Sequence, residues 1–345
     1  MNSKYTIGFI VMLFVLGILF FAYRSGNSNS KKNQSSIPSS EKKLPIVIIG
    51  AEPPGDIDLA SRIILQKGWD KEAGFQIELR PVFSDGAVTA LTYGTVDMIT
   101  IAPLTAVSLV NQKKSVVFLV NGLVVSCPFF VNQSSEAKTW QDLKGKRVGT
   151  TTDTGPSFTT FKVIMKAKEN IDVDKYFQIS HSASKELIPR LTRGEIDGAI
   201  GRCSEIGIAK AYVEAKFKSV GNITDIAFKD GDFKELMLEG LVTTKDWIND
   251  HGDLAQKVQN LYYKTYDYIK THPEVFDDPA IKKAYALEDA GPELINKIKE
   301  LVPAMYTFGP WKDVVDSEYK FLELAQKHGL LDILPLKDEL FFRSN

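Results

Sequence analysis

The feature that most constrains the fold is an alternation of short apolar runs, turns and helical patterns that starts at Ile46. Residues 46–49 form a continuous β-branched run, as expected for a strand buried on both faces. The predicted strands 76–80 and 97–101 follow, and a turn and a helix separate each strand from the next. This alternation predicts a parallel sheet wrapped by helices.

The same scheme returns further along the chain, with predicted strands at 147–150, 176–180 and 197–201. Two parallel sheets in one chain predict an α/β protein of two lobes. We expect the extended stretches 122–131 and 223–228 to cross between the lobes, and the chain from Asp246 onwards to be mostly helical. The predicted division is 1–24 for an N-terminal membrane segment, 25–44 for a flexible linker, 45–124 with 226–345 for lobe 1, and 125–225 for lobe 2.

A short motif, Leu-Thr-x-Gly-x-x-Asp, occurs once in each lobe, at residues 91–97 and 191–197. In both copies a glycine follows a helical stretch and an aspartate precedes an apolar strand. A glycine that can adopt positive φ ends a helix readily. The motif therefore predicts a helix-to-strand turn rather than a direct ligand contact.

The N-terminal stretch 7–23 carries no charged residue over 17 positions, and no small-x-small cleavage site follows it cleanly. This length is at the short limit for a spanning helix and long for the core of a signal peptide. We favour an uncleaved membrane anchor over a cleaved signal, with the body outside the cytoplasm. The polar stretch that follows is typical of a flexible tether.

Charge and composition exclude several functions. Residues 1–44 carry six basic residues and one acidic residue, so the rest has 36 basic and 42 acidic residues. This acidic balance argues against nucleic acid as a partner. The four histidines have no metal-ligand spacing, and no metal or cofactor is expected. Cys127 and Cys203 are interpreted as two thiols, with a single disulfide as the alternative.

Ligands of open parallel sheets bind beyond the carboxyl ends of the strands. Thr154 to Ser157 is the strongest candidate there, because hydroxyl groups and free amides meet at a predicted helix start. Arg202 is the next, since a guanidinium can bind an acid group with two hydrogen bonds, although an ion pair with Glu205 is an alternative. The complete set of candidate ligand-binding residues is Glu52, Pro53, Ser84, Asp85, Ala102, Pro103, Thr105, Asp153, Thr154, Gly155, Ser157, Phe158, Arg202 and Glu205.

Four segments carry a resemblance to a known family. They are residues 65–75 (LQKGWDKEAGF), 90–97 (ALTYGTVD), 142–148 (DLKGKRV) and 194–199 (GEIDGA). In this order the chain resembles the substrate-binding proteins of ABC importers for nitrate, sulfonates, taurine and thiamine-pyrimidine precursors, over about residues 46–216. Many of those relatives are lipid-anchored through a cysteine or free in the periplasm, whereas this chain is predicted to keep a peptide anchor.

The resemblance implies a two-lobed type II periplasmic-binding-protein fold, a monomer that closes on a small molecule, and partners in a membrane permease and its ATPase. The ligand is left open between an anion and a pyrimidine-like molecule. An anchored sensor that acts on a partner without transport is the alternative function. An enzyme is not expected, because the related pyrimidine-precursor synthases use a cysteine-rich motif that is missing from this two-cysteine chain.

Overall fold

The strands form two five-stranded mixed sheets in the computed structural model, which describes residues 43–53, 55–153, 155–182, 184–200, 205–233, 235–306 and 314–342. The predicted anchor and nearly all of the linker therefore lie outside the described residues. Residues Leu44–Asn345 form one compact unit. The part of the chain that the structure describes contains no helix long and apolar enough to span a membrane.

The first sheet has the strand order β2-β1-β3-β10-β4. Strand β1 pairs in parallel with β2 and β3, whereas β10 lies antiparallel between β3 and β4. The continuous apolar run that predicted β1 places Val47 and Ile49 in the core with no exposed surface. The strands of the first sheet are β1 (Ile46–Ala51), β2 (Gln76–Pro81), β3 (Met98–Ile101), β4 (Val116–Asn121) and β10 (Gly240–Thr244).

The second sheet repeats this plan with the order β7-β6-β8-β5-β9. Strand β6 pairs in parallel with β7 and β8, and β5 lies antiparallel between β8 and β9. The residues predicted for β6 are the ones observed. The strands of the second sheet are β5 (Pro128–Val131), β6 (Arg147–Thr150), β7 (Gln178–His181), β8 (Gly198–Ile200) and β9 (Lys218–Asn222).

Helices cover both sheets and form the C-terminal part of the chain, as predicted. Helices α13 and α14 pack against α8 and α5 of the second lobe, whereas α11 packs against α1 and β4 of the first, so the C-terminal helices contact both lobes. The described residues also form two short 3-10 helices, at Trp140–Leu143 and Pro273–Asp277. The helices before β9 are α1 (Asp56–Lys67), α2 (Trp69–Glu72), α3 (Ser84–Thr92), α4 (Pro103–Asn111), α5 (Pro156–Glu169), α6 (Val173–Tyr176), α7 (Ser184–Thr192) and α8 (Glu205–Val213). Those after β9 are α9 (Ile223–Phe228), α10 (Lys245–Asp250), α11 (Gly252–Thr271), α12 (Pro279–Ala284), α13 (Pro292–Met305), α14 (Val315–Lys327) and α15 (Lys337–Leu340).

The crossings between the sheets differ in part from the prediction. Residues 122–127 cross as expected, but the end of the predicted stretch is strand β5 of the second sheet. Residues 223–228 are helix α9, because Asn222 caps a helix start by accepting a hydrogen bond from the Thr224 backbone N–H at 3.0 Å. The prediction of a second crossing there was wrong, and the chain returns after α9, before β10.

The repeated motif forms the same turn in both lobes. Gly94 and Gly194 have φ values of 66° and 70°, the left-handed region that favours glycine. The Asp97 carboxylate accepts a hydrogen bond from the Ile48 backbone N–H at 2.7 Å. The Asp197 carboxylate accepts the matching bond from the Arg147 N–H at 3.0 Å. Each aspartate thus connects the start of one strand to its neighbour, which confirms the turn interpretation.

We expect Asp97→Ala to lower the free energy of unfolding by about 1–3 kcal/mol, because the Ile48 N–H would lose its acceptor in a half-buried position. Asp97→Asn keeps an acceptor oxygen and should cost less. Urea unfolding of both variants measures the difference. An equal loss in the two variants would show that the hydrogen bond is not what the aspartate contributes.

Cys127 is disulfide-bonded, which overturns the favoured interpretation of two thiols. The sequence has one other cysteine, Cys203. Cys127 is 1% exposed and is the last residue of the first crossing, where its backbone N–H donates to the Asn222 side chain at 3.0 Å. The disulfide therefore holds the point where the chain enters the second lobe.

Candidate functional site

The carboxyl ends of the parallel strands in the two sheets face each other across the crossing segments. Strand β4 ends at the carboxyl edge of the first sheet, since β4 and β3 are both antiparallel to β10. Strand β5 begins at the carboxyl edge of the second sheet, because Phe129 pairs with Ile200 at the end of β8. Only six residues separate β4 from β5, so these edges border one cleft.

The crossing segments pair with each other as an antiparallel ribbon beneath the cleft. The backbone N–H of Gly122 donates to the Glu239 carbonyl at 2.8 Å, and the N–H of Leu238 donates to the Leu123 carbonyl at 2.8 Å. A β-carbon on Gly122 would collide with the Glu239 carbonyl and the Asp56 carboxyl group. Glycine is therefore needed where these groups approach the first crossing.

Buried carboxyl groups flank this ribbon. Burial raises the pKa of Asp56 well above its usual value, and the neighbouring charge of Glu239 raises it further. Glu318 on α14 is 1% exposed, and its Oε2 accepts a hydrogen bond from the Met237 backbone N–H at 2.9 Å. Burial raises the pKa of Glu318 to about 8. Both carboxyls are therefore held where ionisation is unfavourable.

On the first-lobe side, the predicted residues lie in the turns after β1, β2 and β3. Glu52 and Pro53 are half-buried, as is Thr105 in the first turn of α4. Ala102 and Pro103 are buried at the cap and first residue of α4. Ser84 and Asp85 are the first two residues of α3, but their side chains are outside the described part.

On the second-lobe side, helix α5 begins at the carboxyl edge of the sheet. Gly155 caps this 14-residue helix in an extended conformation, and Ser157, which is 8% exposed, lies in its first turn. A β-carbon on Gly155 would lie 2.7 Å from the Thr151 Oγ1 and 3.1 Å from the Thr152 carbonyl. The glycine thus allows the turn after β6 to fold tightly against the start of the helix. Pro156 has no N–H group, so the amides of α5 without a partner within the helix are those of Ser157 and Phe158.

Two other predicted residues of this turn have partners within the protein. Phe158 is fully buried and its ring meets the Phe161 and His181 rings, so it packs inside the lobe. Asp153 is exposed and forms an ion pair with Lys162 at 3.2 Å. Thr154 and Arg202 lie outside the described residues, and Glu205 is the first residue of α8, with a side chain that is not described.

Three buried hydroxyl groups at the carboxyl ends of β6 and β7 were not predicted. Among the described residues, the Oγ1 atoms of Thr150 and Thr151 and the Oγ of Ser182 are buried and have no hydrogen-bond partner. Thr150 ends β6, Thr151 follows it, and Ser182 follows the neighbouring strand β7. The Ser182 backbone N–H donates to the Thr150 carbonyl at 3.0 Å. Buried hydroxyls are usually satisfied, so these three need an acceptor or donor from a ligand or water.

His181 is a further residue that the sequence analysis missed. It ends β7 opposite Thr150, and its Nδ1 lies 2.6 Å from the Thr151 carbonyl oxygen. Its ring packs edge-on against Phe158, with 4.9 Å between the ring centroids. The rule that ligands bind beyond the carboxyl ends of parallel strands points to both His181 and Ser182, because they follow the predicted strand 176–180.

A separate surface depression of about 860 Å³ lies at the amino ends of the strands in the second sheet. It is open, and its lining includes Lys146, Glu136 and Asp197. Asp197 is already bonded to Arg147, and this edge of the sheet is opposite the cleft. We therefore place the candidate site at the carboxyl edges and not in the depression.

Comparison with known proteins supports the fold. Residues 64–275, more than half of the chain, match the model of the family described as NMT1/THI5 like. No curated protein matches in sequence. The periplasmic aliphatic sulphonate binding protein SsuA from Escherichia coli is 13% identical, with a TM-score of 0.65 and coverage of 87% of this chain and 92% of that chain.

Two further solved structures are similar. The alkanesulfonate-binding protein SsuA from Xanthomonas axonopodis pv. citri, bound to MOPS, has a TM-score of 0.63 at 12% identity, covering 88% of this chain and 99% of that one. The ligand binding component of an ABC-type import system from Staphylococcus aureus, with zinc bound, has a TM-score of 0.64 at 12% identity. The match covers 86% of this chain and 96% of that one. At such identities these likenesses show the fold alone, and they confirm the predicted two-lobed periplasmic-binding-protein fold.

Proposed function

The chain belongs to the NMT1/THI5-like family, and on that premise we propose that it is the extracytoplasmic substrate-binding component of an ABC importer. In this role it captures a small molecule between its lobes and delivers it to a membrane permease driven by an ATPase. The solved structures that it resembles are named as binding proteins, which supports a binding role over an enzymatic one.

The observation that carries the proposal is the group of unpartnered hydroxyls at the carboxyl ends of β6 and β7. The hydroxyls of Thr150, Thr151 and Ser182 are buried without partners, and the Thr151 Oγ1 lies against Gly155, the cap of the 14-residue helix α5. A helix start carries about half a positive charge and binds anions through its free N–H groups. This arrangement favours an oxyanion, such as a sulfonate, carboxylate or nitrate, over an uncharged pyrimidine-like ligand.

The paired crossings support closure of the lobes around such a ligand. Motion between two packed bodies is usually absorbed by a few residues at the ends of elements. Here the short ribbon of Gly122 to Val125 and Leu236 to Glu239 is where the chain passes from one sheet to the other. We infer that the ribbon is the hinge, and that the candidate residues on both carboxyl edges meet the ligand when it closes.

The disulfide at Cys127 supports a place outside the cytoplasm, since such bonds persist in oxidising compartments. We propose that residues 7–23 anchor the protein to the cell membrane and that the body works as a monomer. The assignment of residues 45–124 with 226–345 and 125–225 to two moving lobes belongs to the same proposal.

Thr151→Val is expected to weaken anion binding by about fivefold, the value of roughly one hydrogen bond, without lowering the stability of the ligand-free protein. Valine has the shape of threonine and removes a buried hydroxyl that has no partner in the protein. Calorimetric titration and thermal unfolding measure the two effects. Thr160→Val is the matched control, because Thr160 is also buried and unpartnered but lies one turn into α5. Equal weakening in both variants would refute the site.

The function itself is tested by a thermal-shift screen of the full chain in mild detergent, against sulfonates, carboxylates, nitrate, amines and pyrimidines. A ligand that binds the native state raises the unfolding midpoint with its concentration. Deleting the gene in its native cell should then abolish uptake of the ligand found. Binding without any loss of uptake would point instead to a sensor that acts on a partner.

A further inference from the structure

We propose that His181 is a specificity residue of the cleft, whose Nε2 accepts a hydrogen bond from an N–H or O–H group of the bound anion. The inference rests on the proposed function and specifies the ligand class of the same site. It predicts a small acid that carries a hydrogen-bond donor near its acid group, in preference to a simple alkyl acid.

The imidazole of His181 carries a hydrogen on Nδ1. The Nδ1 of His181 lies 2.6 Å from the Thr151 carbonyl oxygen. A carbonyl oxygen only accepts hydrogen bonds, so Nδ1 carries the hydrogen. In the neutral ring Nε2 then keeps a lone pair and is an acceptor. The side chain is exposed, so this acceptor is accessible to a ligand.

The imidazole ring of His181 is held in a fixed position. Phe158 is fully buried in the first turn of α5, and its ring meets the imidazole at an interplanar angle of 79°. The hydrogen bond to Thr151 fixes the other side of the ring. Two contacts from different elements thus hold His181, so its acceptor is preorganised and little side-chain entropy is lost on binding.

The groups next to His181 have the opposite hydrogen-bonding role. Thr151, whose carbonyl holds the imidazole, also carries one of the unpartnered hydroxyls, and Ser182, which carries another, is the next residue along the chain. Those hydroxyls and the start of α5 donate hydrogen bonds, whereas neutral His181 offers an acceptor. A ligand that satisfies both must present acceptor oxygens and a donor close together.

The experiment compares matched anions that differ by one hydrogen-bond donor, using the full chain at a single fixed pH. The probes are ethanesulfonate against 2-hydroxyethanesulfonate, and propanoate against 3-hydroxypropanoate, with Kd measured by calorimetry. We expect the hydroxylated member of at least one pair to bind about 3- to 10-fold more tightly, as one neutral hydrogen bond provides. In His181→Ala and His181→Phe this ratio should fall to about one.

The ratio separates specificity from structural support. A residue that only held the turn in place would, when replaced, weaken both members of a pair equally and leave the ratio unchanged. His181→Phe keeps the ring against Phe158, so the test does not depend on the alanine variant folding. A ratio near one in the natural protein, or a ratio that survives both substitutions, overturns the inference alone. If neither pair binds at all, the inference fails, and the thermal-shift screen decides separately whether the proposed function fails with it.

Discussion

Between pH 4.5 and pH 7 the protein is expected to lose about 3 kcal/mol of stability that a Glu318→Gln variant keeps. Glu318 lies on α14 with 1% of its surface exposed, and burial raises its pKa to about 8 from an ordinary value of 4.5. Glutamine keeps an oxygen that can accept the Met237 N–H. The substitution therefore removes only the carboxyl group that binds and releases the proton.

The direction of this stability change depends on how many protons the native and the unfolded state bind. Above pH 4.5 the unfolded chain releases the Glu318 proton, whereas the native protein retains it until about pH 8. The unfolded state therefore binds fewer protons in this window, and the stability of the native state falls as pH rises. Above about pH 8 the loss is complete and the two profiles should run parallel again.

Urea unfolding at a series of pH values measures this difference between the two proteins. Glu323→Gln is the matched control, because Glu323 lies on the same helix but is exposed. Parallel pH profiles for the natural protein and Glu318→Gln would show that the buried carboxyl does not retain its proton in the native state.

Reduction of the disulfide at Cys127 should lower the free energy of unfolding by about 4 kcal/mol. The sequence has one other cysteine, Cys203, and a bond between the two would close a loop of about 75 residues in the unfolded chain. The double variant Cys127→Ser, Cys203→Ser should show the same loss. Because serine is close to cysteine in size, little of that loss should come from packing.

The test is denaturant unfolding with and without a reducing agent. A reducing agent should destabilise the natural protein and leave the double serine variant unchanged, which serves as the control. If reduction changes the natural protein by less than about 1 kcal/mol, the cross-link does not restrict the unfolded state as proposed.

Much of the architecture was predictable, because it depends on local patterns. The run 46–49 and the motif glycines Gly94 and Gly194 act through burial and backbone conformation, both of which a sequence shows directly. Strand β6 was predicted to the residue. The two motif aspartates were assigned to turns, and in the structure each accepts a backbone N–H from the neighbouring strand.

The two errors have different physical causes: one is a local capping hydrogen bond, and the other is a disulfide, which depends on the tertiary fold. Residues 223–228 are as apolar as an extended crossing, yet the capping hydrogen bond of Asn222 makes them a helix. The spacing of Cys127 and Cys203 gives no information on whether they meet, and Cys127 is in fact disulfide-bonded.

The candidate site was predictable in place but less so in its residues. The rule of carboxyl ends identified the turn at Gly155, where the helix start and the unpartnered Thr151 hydroxyl lie together. It did not reveal that Phe158 packs inward, because a phenylalanine in a first helical turn can face either way. Nor could sequence show that His181 reaches the Thr151 carbonyl, a contact made through strand pairing.

The position of β10 has a consequence for the order in which the chain can fold. This strand lies between β3 and β4, yet it comes after every strand of the second sheet in the chain. The second sheet has all of its strands once residue 222 has been made, whereas the first lacks an inner strand until residue 244. The lobe that begins first is therefore the last to be completed, and until then β3 and β4 keep unpaired edges that a folding chain must protect from wrong partners.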